Sequence, residues 1–204
     1  MARPLEGIRI IDLSWVLSGP YTTMVLNDLG AEVIKVERPG TGDIARGNGP
    51  FIDSVSSYFL SLNRGKKSII LDLASETGKE VFLELVEKAD VVVENFVPGT
   101  MESLGLGYKV LKKCNPKIIY AAISGFGQTG PEAKKPALDV TIQARGGIMS
   151  LTGEPGGVPI RPGASFGDIF AGLFACIGIL TALIERGRSG EGQLIDISML
   201  DCQV

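Results

Sequence analysis

The stretch IRIIDLSWVLSGPYTTMVLNDLGAEVIKVER, residues 8–38, holds the reading that decides the fold. IRIIDL at 8–13 is a short apolar run closed by polar residues, the pattern of a buried strand. A helix follows near 20–29: Pro20 suits its first turn, where a missing N–H costs little, and Gly30 suits its stop. AEVIKVER at 31–38 then reads as a second strand. Strand, helix and strand within forty residues make a βαβ unit, whose two strands are expected to run parallel.

The same alternation extends through the chain. Residues 39–57 read as loop, and KKSIILDL at 66–73 as a strand. SETGKEVFLELVEKA at 75–89 is an amphipathic helix, with Val81, Phe82, Leu85 and Val86 at helical spacing and Ser75 or Thr77 as its cap. DVVVENF at 90–96 and KIIYAAISGFG at 117–127 are strands flanking a short helix in SLGLGYKVLKKCNP at 103–116. Helices are expected over 138–150 and 167–186, and QLIDISML at 193–200 is a last strand running into a helix. The fold class is therefore α/β: a doubly wound, mostly parallel, Rossmann-like sheet with helices on both faces. In such sheets ligands bind outside the carboxyl ends of the strands. Those ends carry SWVLSGP, ERPGTGD, ENFVPGT and SGFGQTG.

Composition narrows the function classes. Of 204 residues, 45% are hydrophobic and 21% charged, an ordinary globular balance. The formal net charge of −3 argues against a nucleic-acid partner. The local basic group Arg64, Lys66 and Lys67 reads as a solvated loop. Three widely spaced cysteines without a C-x-x-C pair point to a reducing, cytoplasmic compartment, and the N-terminus lacks the apolar run of a signal peptide. The apolar run IFAGLFACIGILTALI at 169–184 falls short of the roughly 20 residues a membrane span needs, so it reads as a core helix rather than a membrane anchor. The chain has no histidine, which removes Ser-His-Asp triads, His-activated cysteines and His-ligated zinc from consideration; no metal site is expected.

Two motifs invite over-reading. GFGQTG at 125–130 matches G-x-G-x-x-G, but PEAKKP follows where a dinucleotide fold needs a helix. A glycine-rich loop is the better reading. GASFG at 163–167 matches G-x-S-x-G, yet the preceding GEPGGVPIRP is too rich in glycine and proline for a strand and no histidine exists to activate Ser165.

Asp168, one residue later, has two readings. It stands where a long helix begins, so it reads as an N-cap. The same place suits chemistry, because the positive end of the helix dipole favours a carboxylate. Gly167 and Gly172 beside it allow close approach, and free N–H groups there suit an oxyanion. A carboxylate can also carry an acyl group covalently without a general base.

Taken together, the chain resembles the family III CoA-transferases, such as formyl-CoA transferase. The resemblance rests on residues 4–43, NRGKKSIILDL at 63–73, VVVENFVPG at 91–99, SGFGQTGP at 124–131, MSLTGEP at 149–155, the Gly-Asp of GASFGDIFAG and ERGRSGEGQLIDISMLD at 185–201. It implies an enzyme that moves coenzyme A from an acyl-CoA donor to a carboxylic acid acceptor. Asp168 would be the catalytic nucleophile, forming a mixed anhydride and then an enzyme thioester, with no ATP or metal. Val16, Leu17, Ser18, Arg38, Leu71, Asn95, Phe96 and Leu104 match the family's coenzyme A contacts, although core packing explains the apolar ones equally well.

The departures from formyl-CoA transferase are Leu17 for a glutamine, Asn48 for a tryptophan, and Ser103 and Pro136 for basic residues. They argue against formyl and oxalyl as the acyl pair. Acyl-CoA racemases of this fold use a histidine where the chain has Leu138, which counts against racemisation. Family chains are about twice as long and form homodimers. Residues 1–190 are thus expected to be the CoA-binding α/β domain, and 191–204 to lead toward a small domain. A non-catalytic CoA- or partner-binding domain is the alternative.

Overall fold

The computed structural model describes residues 3–204, so the first two residues of the expected domain lie outside the described residues. In chain order its elements are β1 (Arg9–Asp12), α1 (Ser18–Asp28), β2 (Glu32–Glu37), a short hairpin of β3 (Phe51–Ile52) and β4 (Val55–Ser56), and α2 (Ser57–Asn63). There follow β5 (Lys67–Ile70), α3 (Glu76–Glu87), β6 (Val91–Glu94), α4 (Thr100–Ser103), α5 (Tyr108–Cys114) and β7 (Ile119–Ser124). The chain continues with α6 (Asp139–Arg145), α7 (Phe166–Ser189) and β8 (Leu194–Ser198).

The main sheet has six strands in the order β5-β2-β1-β6-β7-β8, and every pairing in it is parallel. With the hairpin set aside, this is the doubly wound order 3-2-1-4-5-6, whose direction reverses between β1 and β6. The expected fold class is therefore the observed one. β6 and β7 are buried at every residue, as strands covered on both faces must be. On one face α1 and α7 pack around Ile10, Val33, Val91, Val93, Ile119 and Ile179. On the other, α3 and α5 pack Phe82, Val86 and Leu111 against Ile11, Val92 and Tyr120. Ser75 caps α3 by accepting from the Gly78 N–H at 3.1 Å.

The expectation of loop over 39–57 holds only in part. It contains a 3-10 turn at Ile44–Gly47 and the β3–β4 hairpin, and α2 follows directly. Ser56 caps α2, accepting from the Phe59 N–H at 3.0 Å, so a single serine converts the end of the hairpin into a helix start.

α7 is long and apolar enough to cross a membrane by length and composition, and here its small-residue face packs in the core. Gly172 lets it approach α1. A Cβ there would lie 2.9 Å from the Ser18 carbonyl oxygen and 2.9 Å from Tyr21 Cδ1. Gly172→Ala gains up to about 1 kcal/mol of helix propensity but forces overpacking that costs about 1–3 kcal/mol. A net loss of about 1 kcal/mol is expected in urea unfolding, because backbone on the α1 side cannot move aside as a flexible side chain would.

Candidate ligand groove

The carboxyl ends of β1 and β6 flank the point where the strand order reverses, and the loops leaving them face each other. In the first loop Val16 has φ 65, a left-handed conformation that is an outlier for a β-branched residue. Three side chains hold the loop there. Asn95 accepts from the Trp15 N–H (3.0 Å) and donates to the Trp15 carbonyl (2.8 Å) and Ser18 Oγ (3.1 Å). Asp43 accepts from the Val16 N–H (3.1 Å), and Lys35 Nζ donates to the Ser14 carbonyl (2.6 Å). Across the groove, Glu94 accepts from the Phe96 N–H at 2.7 Å and so fixes the start of the second loop. Burial above all pushes the Glu94 carboxyl up to about 7.

Two adjoining cavities result, with Trp15 and Phe96 in the wall of both; the two rings meet edge to face at 5.4 Å. The first, about 170 Å³, is lined by Arg38, Leu71, Phe96 and Leu104 among others. Arg38 is exposed there, with its guanidinium 5.4 Å from the Trp15 ring. The second, about 290 Å³, is lined by Val16, Leu17, Ser18, Asn95, Phe96 and Asp168 together with Leu138 and Asp139. All nine residues singled out from the sequence thus line one or other of these cavities. Asn95 also has a second task, since its amide braces the loop opposite.

Asp168 is not the N-cap of α7. Ser165 occupies that position without a side-chain cap bond, and Asp168 is the third helical residue. The capping acceptor comes from α6: Asp139 Oδ1 accepts from the Gly167 N–H at 2.9 Å. Gln143 (2.7 Å) and Arg161 (3.2 Å) hold the other Asp139 oxygen. The Asp168 carboxylate is thereby relieved of capping and lines the cavity. Burial, and after it the charge of Asp139, raise Asp168 to about 7, while the Ser18 hydroxyl and N–H favour its ionised form. Tyr58 on α2 stands in the field of the same carboxylates. Burial and then Asp168, Asp43 and Asp139 push its phenol up to about 12, so it stays a neutral hydroxyl.

Lys66 is the other correction. It is not part of a solvated loop: its side chain is 2% exposed and its ammonium lies 3.0 Å from Asp12 Oδ2, 3.0 Å from the Pro20 carbonyl and 2.8 Å from Asn63 Oδ1. Asn63 is three residues away, but Asp12 and Pro20 come from a distant part of the chain, and that pairing leaves no local signature. Trp15, by contrast, was findable as the only tryptophan and as a member of the first ligand loop. The GFGQTG segment is a bent loop and does not open a helix, and the Gln128 N–H donates to both oxygens of Asp196 (3.1 and 3.0 Å). Among the described residues no group of three or more Cys, Asp or Glu side chains is arranged to hold a metal ion.

A family model described as CoA-transferase family III matches residues 5–204. An acetyl-CoA:oxalate CoA-transferase from Acetobacter aceti is 51% identical over 199 residues, covering 97% of this chain and 51% of that protein. A succinyl-CoA:glutarate CoA-transferase from Mus musculus is 49% identical over 203 residues, covering 99% and 47%. The crystal structure of a CAIB/BAIF family protein from Brucella suis superimposes with TM-score 0.95 at 46% identity, over 100% of this chain and 55% of that one. The chain spans about half the length of the curated relatives it matches.

Proposed function

We propose, from the premise that this chain belongs to CoA-transferase family III, that it carries the coenzyme A site and the acyl-bearing carboxylate of an enzyme moving CoA from an acyl-CoA to a carboxylic acid. The observation that carries this reading is Asp168. A carboxylate freed from capping by Asp139 opens on the cavity whose other wall is the Val16–Ser18 loop. In this reading Arg38, exposed at the rim of the first cavity, meets the phosphates, for which a guanidinium is well matched. Leu71, Phe96 and Leu104 enclose the nucleotide end, and pantetheine runs past Trp15 toward Asp168.

The reaction then needs only carboxylates and a thiolate. Asp168 attacks the thioester carbonyl; the C–S bond breaks, and CoA departs as thiolate, leaving the donor acyl group on Asp168 as a mixed anhydride. The thiolate attacks the aspartyl carbonyl, the donor acid leaves as carboxylate, and an aspartyl-CoA thioester remains. An acceptor carboxylate attacks that carbonyl and releases the thiolate again. Attack of the thiolate on the acceptor's acyl carbon gives the new acyl-CoA and regenerates the Asp168 carboxylate. One thioester is made for each one broken, so no ATP is consumed. The similar proteins are named for oxalate and glutarate, which supports small carboxylic acids as the acceptor class.

Acyl-CoA and hydroxylamine, given to the whole protein that carries this chain, are expected to leave a hydroxamate on Asp168. The ionised carboxylate is the nucleophile and its pKa is about 7, so labelling is expected to rise with pH, reach half its maximum near 7 and level off above. Labelling confined to another residue, or a rate flat from pH 5 to 8, would overturn the assignment.

A further inference from the structure

We infer that Asp43 is a positioning residue for the groove: its buried carboxylate ties down the Val16 N–H and thereby holds Val16 in the left-handed conformation that shapes the ligand wall. Conformations of this kind persist only where the surroundings over-determine them, and here a buried ion pair acts on the Val16 side of the loop beside the Asn95 amide, which holds Trp15. Asp43 is 3% exposed and Lys35 1%. Asp43 Oδ1 accepts from Val16 and from Ala45 (2.9 Å), while Oδ2 lies 3.0 Å from Lys35 Nζ. Lys35 in turn grips the Ser14 carbonyl. The pair therefore holds the loop on both sides of Trp15, through the carbonyl before it and the amide after it.

Asp43 is itself anchored. Its N–H donates to Glu37 Oε2 at 2.9 Å, and Arg46 binds both Glu37 oxygens at 2.7 Å. Lys35 and Asp43 line the first cavity, Val16 lines the second, and Trp15 lines both. A change at Asp43 is thus transmitted to the whole divide between them. That this sets ligand affinity rests on the reading of the groove as the CoA seat.

Trp15 is the only tryptophan, so its fluorescence reports occupancy of the groove in a CoA titration. Amide exchange at Val16 reports the loop without any ligand. Asp43→Ala is expected to weaken CoA binding about tenfold or more and to speed Val16 exchange by a similar factor. Adding Val16→Gly to Asp43→Ala is expected to recover most of the lost affinity, because glycine reaches positive φ without a brace. Should the stranded Lys35 charge prevent folding, the same comparison is made with Lys35→Met present throughout. Unchanged affinity in Asp43→Ala, or a double variant binding no better than the single one, overturns the inference. Failure of the parent protein to bind CoA overturns the functional reading instead. Val16 exchange then decides the loop claim alone, and equal rates with and without Asp43 sink it.

Discussion

Asp168→Asn is expected to abolish acyl exchange, by about a thousandfold or more, while CoA affinity stays within a few-fold of the parent. The amide matches the carboxylate in shape but cannot form the anhydride, so the loss falls on turnover and not on binding. The same substitution is expected to stabilise the fold. Folding raises the Asp168 pKa from 3.8 to about 7, so between those values the folded state holds a proton that the unfolded state has released. Parent stability therefore falls as pH rises through that window and stays lowered above it, whereas asparagine has no proton to lose. At pH 8 the variant is expected to be more stable on the order of 1–3 kcal/mol in urea unfolding, with the difference vanishing below pH 4. An Asp168→Asn variant that still exchanges acyl groups, or is less stable at pH 8, contradicts both the role and its physical basis.

Asp12→Ala is expected to cost about 3–5 kcal/mol of stability, enough to unfold a marginal domain. Asp12 is fully buried and accepts from the Ser14 N–H (2.9 Å), the Ser14 hydroxyl, the Thr23 hydroxyl (2.6 Å) and Lys66 (3.0 Å). Removing it strands the Lys66 ammonium beneath the sheet's carboxyl edge, with Lys35 close by. Asp12→Leu combined with Lys66→Met removes both charges and is expected to recover most of the loss, which a double-mutant cycle measures. Acid separates the same pair. Against its burial, Lys66 and then Lys35 hold the Asp12 carboxyl well below the usual carboxylate range. Its contribution is full above the ordinary value of 3.8 and disappears only as pH falls through the depressed folded value. A single Asp12→Ala variant as stable as the parent would show that the pair is solvated after all.

What could be read from the sequence was what local pattern encodes. β1, β6 and β7 lie in short apolar runs between polar or turn residues, so their place in a parallel sheet was visible, and with it the set of ligand loops. α2 was hidden because its start depends on Ser56 at the end of a two-residue strand, inside a stretch that glycine and proline mark as irregular. The cap of α7 was misread for a different reason. A capping carboxylate supplied by Asp139, from another helix, leaves no trace near residue 165. Lys66 and Asp43 are the same case, since their partners Asp12 and Val16 lie 54 and 27 residues away along the chain. The left-handed Val16 follows from such a partner and not from its own residue type, which disfavours it.

The fixed geometry of the Trp15–Val16 peptide bears on the tempo of ligand exchange. A wall already in its final shape asks an incoming molecule for little further ordering, so encounter is governed by diffusion and orientation rather than by a preceding rearrangement. Arrival would then appear in stopped flow as a single phase whose speed is proportional to ligand concentration. Chemically different occupants would be told apart chiefly by residence time.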